Sequence, residues 1–197
     1  MDPFPTLRTQ HLVLREIVHA DAPDLFAMHG DSELTRWFGT DPVPHLQAAE
    51  QLIDTFAAWR QLPNPGTRWG LQLADNPRLI GSCGLFDWNR DWKKCSTGFV
   101  LARAMRGKGY MREAMTAVLS WGFEHMALNR VEALLRPLDL ASLRLLRTIG
   151  FEQEGCLREA GYWDGGFHDL LQFALLRREY RRPDQVGSTA PPEAPHE

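Results

Sequence analysis

Apolar positions recur with two different periods along this chain, and the alternation between those periods predicts its elements. His11-Leu12-Val13-Leu14-Arg15-Glu16-Ile17 has the pattern of a strand, with Leu12, Leu14 and Ile17 directed toward a core. Asp21 with Ala22-Pro23 opens a short helix, because proline is tolerated in a first helical turn. Leu46, Ala49, Leu52, Ile53, Phe56, Ala57 and Arg60 follow helical spacing until Pro63-Asn64-Pro65-Gly66 ends it. Strands are expected over Thr67 to Ala74, Leu79 to Trp88 and Cys95 to Ala102, with turns at Asn76-Pro77 and from Asn89 to Lys94.

The most regular stripe begins after Gly109. Met111, Ala114, Met115, Val118, Leu119, Gly122, Phe123 and Met126 repeat at three- and four-residue steps, which makes them one packed face of a helix. Val131 to Arg136 is a strand. Asp139 then caps a helix through Ile149, with Leu140, Leu143, Leu146 and Ile149 facing inward and Gly150 closing it. Phe151 to Tyr162 and Phe167 to Leu176 form two last strands joined at the hairpin signal Asp164-Gly165-Gly166. The order β-α-α-β-β-β-α-β-α-β-β predicts a mixed sheet with helices rather than a doubly wound repeat. Arg177 to Arg182 reads as the solvated end of the last strand. Residues 183–197 hold four of the 13 prolines and almost nothing large and apolar, so a disordered tail is expected after a domain spanning residues 1–182.

Composition narrows the class. A chain of 197 residues that is 44% hydrophobic, with 10 Phe, 7 Trp and 3 Tyr, can bury one core without cross-links. Cys83, Cys95 and Cys156 are widely spaced and lack a C-x-x-C pattern. They argue against a disulfide framework or a structural metal and are expected to be buried packing residues in a reducing compartment. No apolar run approaches the roughly 20 residues of a membrane span, and Met1-Asp2-Pro3-Phe4-Pro5 opens no signal peptide. A cytoplasmic location away from membranes is the expectation. The net charge of −3 argues against nucleic-acid binding. Its distribution is uneven, however. Arg90, Lys93, Lys94, Arg103, Arg106, Lys108 and Arg112 share one stretch with a single acid, Asp91, so the stretch is +6 and the remainder −9. That acidic remainder would favour a cationic amine.

Inside the basic stretch, Arg106-Gly107-Lys108-Gly109-Tyr110 joins a strand to the strongest helix. Two glycines let the backbone turn and approach a ligand closely, and the helix start supplies unpaired N–H groups and a positive dipole end. An anion such as pyrophosphate suits this site. The spacing is not that of a P-loop, and the third glycine of a dinucleotide fingerprint would fall on Arg112. A plain basic turn is the competing reading of these residues taken alone. Further signals come in order: Leu7 to Arg15, Leu79-Ile80-Gly81-Ser82, Gly98-Phe99-Val100-Leu101, the glycine turn with Glu113-Ala114, and Asn129-Arg130-Val131. They continue with Ala141-Ser142, Gly150-Phe151, Glu154-Gly155, Arg158 and Asp169. Over Leu7 to Tyr180 this order and spacing resembles the GNAT superfamily of acetyl-CoA-dependent N-acetyltransferases. Within it, the sequence is most similar to the ribosomal-protein alanine and serine N-terminal acetyltransferases.

The resemblance implies a single α/β (α+β) domain with a mixed, mostly antiparallel, splayed sheet of about seven strands and about four helices. It implies that acetyl-CoA rests its pyrophosphate on Arg106, Gly107, Lys108, Gly109, Tyr110 and Met111. Its pantetheine arm would run beside Phe99, Val100 and Leu101, with Asp139 and Ser142 also in contact. Acetyl transfer from a thioester needs a neutral amine, a donor for the developing oxyanion and a proton for the thiolate. The resemblance assigns the donor to the N–H of Val100 or Leu101. A Tyr often present in the family is Leu146 here, so Ser142, one turn earlier, is the candidate for assisting the thiolate; it is also an ordinary first-turn helix residue. Asp139 stands where the family usually has Asn, and it can cap but not donate.

The base is less apparent, because Ser96 occupies a position where many relatives carry Glu. Asp87 is the first candidate and Asp91 the second, although both also read as turn carboxylates. An α-amine, with a pKa of about 7.7–8.0, needs less help than lysine at about 10.4, which tilts the reading toward α-amines. Trp37, Phe38, Trp88, Asn89 and Tyr162, in loops and hairpins, are expected to line the acceptor pocket. The expected reaction is direct attack of a primary amine on acetyl-CoA, the acceptor being the N-terminal α-amine of a protein. A small-molecule amine (antibiotic, amino acid or polyamine) and a non-catalytic acyl-CoA-binding module are the alternatives. An exposed strand edge at the C-terminal hairpin would permit a homodimer.

Overall fold

Leu12, Leu14, Trp69, Leu71 and Leu85 are completely buried, because alternate side chains of successive strands meet on one surface. In a computed structural model, which describes residues 3–37 and 39–181, these strands belong to one eight-stranded sheet. They are β1 (Leu7–Arg8), β2 (Leu12–Arg15), β3 (Thr67–Leu73), β4 (Asn76–Asn89), β5 (Lys94–Leu101), β6 (Arg130–Leu135), β7 (Glu152–Trp163) and β8 (Gly166–Leu176). Five α-helices accompany them: α1 (Ala22–His29), α2 (Ser32–Thr35), α3 (Leu46–Ala58), α4 (Tyr110–His125) and α5 (Leu140–Ile149). The strand order is β1-β2-β3-β4-β5-β6-β8-β7, and only the β5–β6 pairing is parallel. The expected mixed, mostly antiparallel sheet is therefore present. Its additions are β1 and α2, each too short to show a period.

Helices cover both faces. On one, Met115, Val118 and Leu119 of α4 and Leu143 and Leu146 of α5 pack on Trp69, Cys83 and Val131. On the other, Leu25 and Met28 of α1 and Ile53 and Phe56 of α3 pack with Ile17, Leu79 and Val100. Leu79 and Ile80 are neighbours in sequence but enter opposite cores, as the two-residue period of a strand requires. Asp164 and Gly165, with φ of 51° and 68°, make the two-residue turn between β7 and β8.

Several local expectations are corrected. The β3–β4 turn is Ala74-Asp75 rather than Asn76-Pro77, because β4 already begins at Asn76. Leu140 is 61% exposed, since only the later turns of α5 lie over the sheet. Arg177, exposed just past the end of β8 as expected, is also an anchor: Nη1 and Nη2 donate to the Phe123 carbonyl at 2.6 and 2.9 Å, close to the C-terminal end of α4. Cys156 is exposed on β7 rather than buried, whereas Cys83 and Cys95 are in the core. The segment expected to be a disordered tail lies outside the described residues.

Burial pushes the thiols of Cys83 and Cys95 up to about 12. A thiol reagent at mildly alkaline pH should therefore modify only Cys156 in the native protein, and all three cysteines after denaturation. Rapid native labelling of either core cysteine would show this packing to be wrong.

Candidate active site

β5 and β6 hold together for only three residue pairs, Lys94–Arg130, Cys95–Val131 and Ser96–Glu132. Beyond them β5 stays with β4 as far as Leu101, while β6 follows β8 as far as Leu135. The stretch Thr97 to Leu101 consequently has one strand edge without a partner strand, facing a wedge between β5 and β6. A cavity of about 570 Å³ includes this wedge, with Gly98, Phe99, Val100 and Leu101 on one side and Ala133, Leu134 and Leu135 on the other. A backbone edge of this kind can accept an extended, amide-bearing arm as a substitute strand.

At one end of the wedge lies the glycine turn. Gly107 and Gly109 have φ of 76° and 84°, and Gly109 is the N-cap of α4. A Cβ at either position would meet nothing within 4 Å, so backbone conformation and not crowding calls for glycine here. The first backbone bond returning to the cap is Glu113 N–H to the Gly109 carbonyl, at 3.1 Å. The N–H groups of the preceding residues thus remain outside the helical ladder, at its positive end. Arg106, Gly107, Gly109, Tyr110, Met111 and Arg112 all line the cavity. Arg106 is steadied by its own Nε donating to the Leu101 carbonyl at 3.4 Å.

A second helix start faces the same wedge. Asp139 is the N-cap of α5, and its Oδ1 accepts the Ser142 N–H at 3.1 Å. Both residues line the cavity, so the cap holds Ser142 at the wall. Leu146, one turn later, is fully buried in the core and offers no substitute for the missing tyrosine.

The other end of the cavity is an aromatic chamber against α3. Phe56, Trp59 and Phe86 form a chain of rings, with centroids 5.1 and 5.3 Å apart. Arg68 and His29 also line this end. Burial, helped by the nearby Arg68 charge, lowers the His29 pKa to about 4. Burial likewise lowers Arg68 to about 10, which leaves it cationic near neutral pH. Trp37 lines the mouth, lying between the guanidinium groups of Arg36 at 4.8 Å and Arg136 at 5.3 Å from its ring centre.

Most of the expected cofactor residues are thus gathered on one cavity: Phe99, Val100, Leu101, Arg106, Gly107, Gly109, Tyr110, Met111, Asp139 and Ser142. Lys108 is exposed in the turn and is not part of the lining. The expected acceptor set is divided, because among its described members only Trp37 lines the cavity. Asp87 sits at a bulge of β4 with φ of 54° and is exposed. In a regular strand Phe86 and Trp88 would share a face. Across this irregularity Phe86 faces the chamber, while Trp88 packs against the core beneath α4. Asn89 accepts the Trp92 N–H in the hairpin turn at 2.8 Å. Tyr162 is 64% exposed and rests on Phe167. Phe38 lies outside the described residues. Arg68, His29, Phe56 and Phe86 were absent from the expected set. The one available signal was Arg68 itself, a charge within an otherwise strand-like apolar run.

Comparison with known proteins identifies the class. The acetyltransferase (GNAT) domain model matches residues 11–152, and the chain belongs to that family. It is 32% identical over 174 residues to the uncharacterized N-acetyltransferase YoaA of Bacillus subtilis (strain 168), covering 88% of this chain and 98% of that protein. Two solved structures share the fold. Spermidine N-acetyltransferase from Vibrio cholerae, in complex with CoA and spermine, has a TM-score of 0.76 at 20% identity, covering 87% of this chain and 99% of that one. RimL, a ribosomal L7/L12 alpha-N-protein acetyltransferase in complex with coenzyme A, has a TM-score of 0.78 at 18% identity, covering 87% and 98%. The protein is accordingly a GNAT-type N-acetyltransferase.

Replacing Gly109 with Ala should lower acetyl-CoA affinity about tenfold or more in calorimetry, because a left-handed alanine costs about 1–2 kcal/mol and the turn relaxes away from its N–H array. The melting temperature should shift by only a few degrees. Undiminished affinity would remove the turn from the cofactor site.

Proposed function

We propose that this N-acetyltransferase acts on an α-amine, in the first place the N-terminal α-amine of a polypeptide. The supporting observation is that, among the described residues, no side chain lining the cavity is placed as a strong base. Asp139 is engaged in capping α5. Asp41, exposed at the mouth, accepts the Asp164 N–H at 2.7 Å. His29, at about 4, is too weak a base to take a proton from an ammonium group. Near neutral pH an α-amine with a pKa of about 7.7–8.0 is partly neutral, whereas a lysine near 10.4 is neutral only to about one part in a thousand.

In this reading the phosphates of acetyl-CoA occupy the α4 turn beside Arg106 and Arg112, and its arm pairs with the free edge of Thr97 to Leu101. The N–H of Val100 or Leu101 donates to the thioester oxygen as negative charge develops there. The Ser142 hydroxyl hydrogen-bonds the departing sulfur, which favours thiolate release without requiring a full proton transfer. Asp87, being outside the cavity, takes no part, and the amine proton passes to water at the mouth. The aromatic enclosure of Phe56, Trp59 and Phe86 favours a second reading, a free small amine, because such a chamber surrounds a compact acceptor well.

Thiol release measured with acetyl-CoA and a panel of peptide N-termini, lysine side chains and small amines decides among these. α-Amines should react best. Ser142→Ala should lower kcat about tenfold while changing the acetyl-CoA KM less than twofold. An unaltered kcat would remove Ser142 from the mechanism.

A further inference from the structure

Arg68 is the least expected residue in the acceptor chamber. It lies on β3, paired with Gly84 of β4, which in turn pairs with Gly98 of β5. The two glycines leave the row Arg68–Gly84–Gly98 without side chains beyond Arg68, and the arginine lies across it. A Cβ built on Gly98 would be 3.8 Å from Nη1 of Arg68, so the guanidinium reaches two strands over, to the place where the sheet begins to open. It is held there by Nε donating to Ser82 Oγ at 3.1 Å and by the Phe56 ring 5.0 Å below its Cζ. These holds leave the two terminal nitrogens of its planar fork for another acceptor.

Among the described residues no carboxylate lies within 4.0 Å of Arg68 to form an ion pair. Several other arginines of the fold do have such partners: Arg15 pairs with Asp21, Arg103 with Asp31 and Arg130 with Glu132. A half-buried cation without a counter-ion is costly unless an anion arrives. The phosphates of acetyl-CoA are poor candidates, since Leu101, next to their turn, is three residues from Gly98, or about 10 Å of extended strand. What remains is the acceptor. The geometry points to Arg68 as a specificity-determining residue that binds a carboxylate carried by the acceptor close to its reacting amine. That carboxylate belongs either to a free amino acid or to an acidic side chain at the start of a peptide. The inference rests on the α-amine reading and sharpens it: polyamines, which bring only positive charge to the Arg68 guanidinium, are disfavoured as acceptors.

The test uses matched acceptors with the whole protein: an amino acid and its amide, and peptides beginning with glutamate or with glutamine. In the wild type, kcat/KM should be about 10- to 100-fold higher for each carboxylate than for its uncharged counterpart in at least one of the two pairs. Which pair shows it identifies the source of the carboxylate. Arg68→Gln should abolish that preference while leaving acetyl-CoA affinity within about threefold, and Arg68→Lys should retain part of it. A wild-type ratio near one in both pairs would overturn the inference. An equal loss on all acceptors in Arg68→Gln would also overturn it, assigning the arginine to the thioester oxygen instead. If no amine is acetylated, the α-amine reading fails separately. Calorimetry of the same pairs on the CoA-loaded protein still decides: carboxylate-selective binding lost in Arg68→Gln supports the site, and unselective binding or none overturns it.

Discussion

The parting of β5 from β6 after three residue pairs is the constraint on which the rest of this protein depends. It leaves a backbone edge that no strand satisfies and opens a wedge through the middle of an otherwise continuous sheet. The chain order then does the remaining work. β5 leads through the glycine turn into α4, and β6 leads through residues 136–139 into α5. Two successive strand-to-helix connections from the splayed ends place both helix N-termini on the same opening. An array of N–H groups and an unpaired strand edge, near neighbours in the chain, thereby converge with a capped serine that lies far from both in sequence.

Charge is distributed more locally than the net value indicates. Of the seven basic residues between Arg90 and Arg112, only Arg106 and Arg112 line the cavity. Lys94 pairs with Glu132 at 3.1 Å, Arg103 with Asp31 at 3.0 Å, and Arg90 lies 4.3 Å above the Trp88 ring. The basic stretch therefore serves the fold as much as the cavity. The acidic remainder does not make the aromatic chamber acidic either. The charged group built into that chamber is Arg68, on a strand outside the basic stretch, and it is a cation. Fields in a cleft are set by the few charges with low-dielectric walls around them, not by the total over the surface.

The fold was largely legible because its elements are strongly periodic. The Met111 to Met126 stripe became α4, and the Asp139 cap and Gly150 stop bounded α5. The Asp164-Gly165 turn joined the last two strands. Errors fell where local pattern competes with packing at the ends of elements. Leu140 has the right helical spacing but lies one turn before α5 meets the sheet, and Cys156 lies on the outermost strand, where one apolar residue has nothing to cover it. The glycine-turn end of the cavity was legible too, since Gly107 and Gly109 mark a conformation that other residues adopt only with strain. The lining of the aromatic end was not. The irregularity at Asp87 turned Trp88 away from the chamber while Phe86 faced it, and an alternation argument has no access to such an inversion.

By itself, then, the sequence determined the order and type of most of the elements and the glycine turn, because these follow from periodicity and backbone freedom within short windows. Tertiary structure decided where β5 and β6 part, which of the basic residues face the cavity, and that Arg68 reaches across Gly84 to Gly98. Those outcomes depend on which strands become neighbours and which face a helix covers, quantities that join residues far apart in the chain.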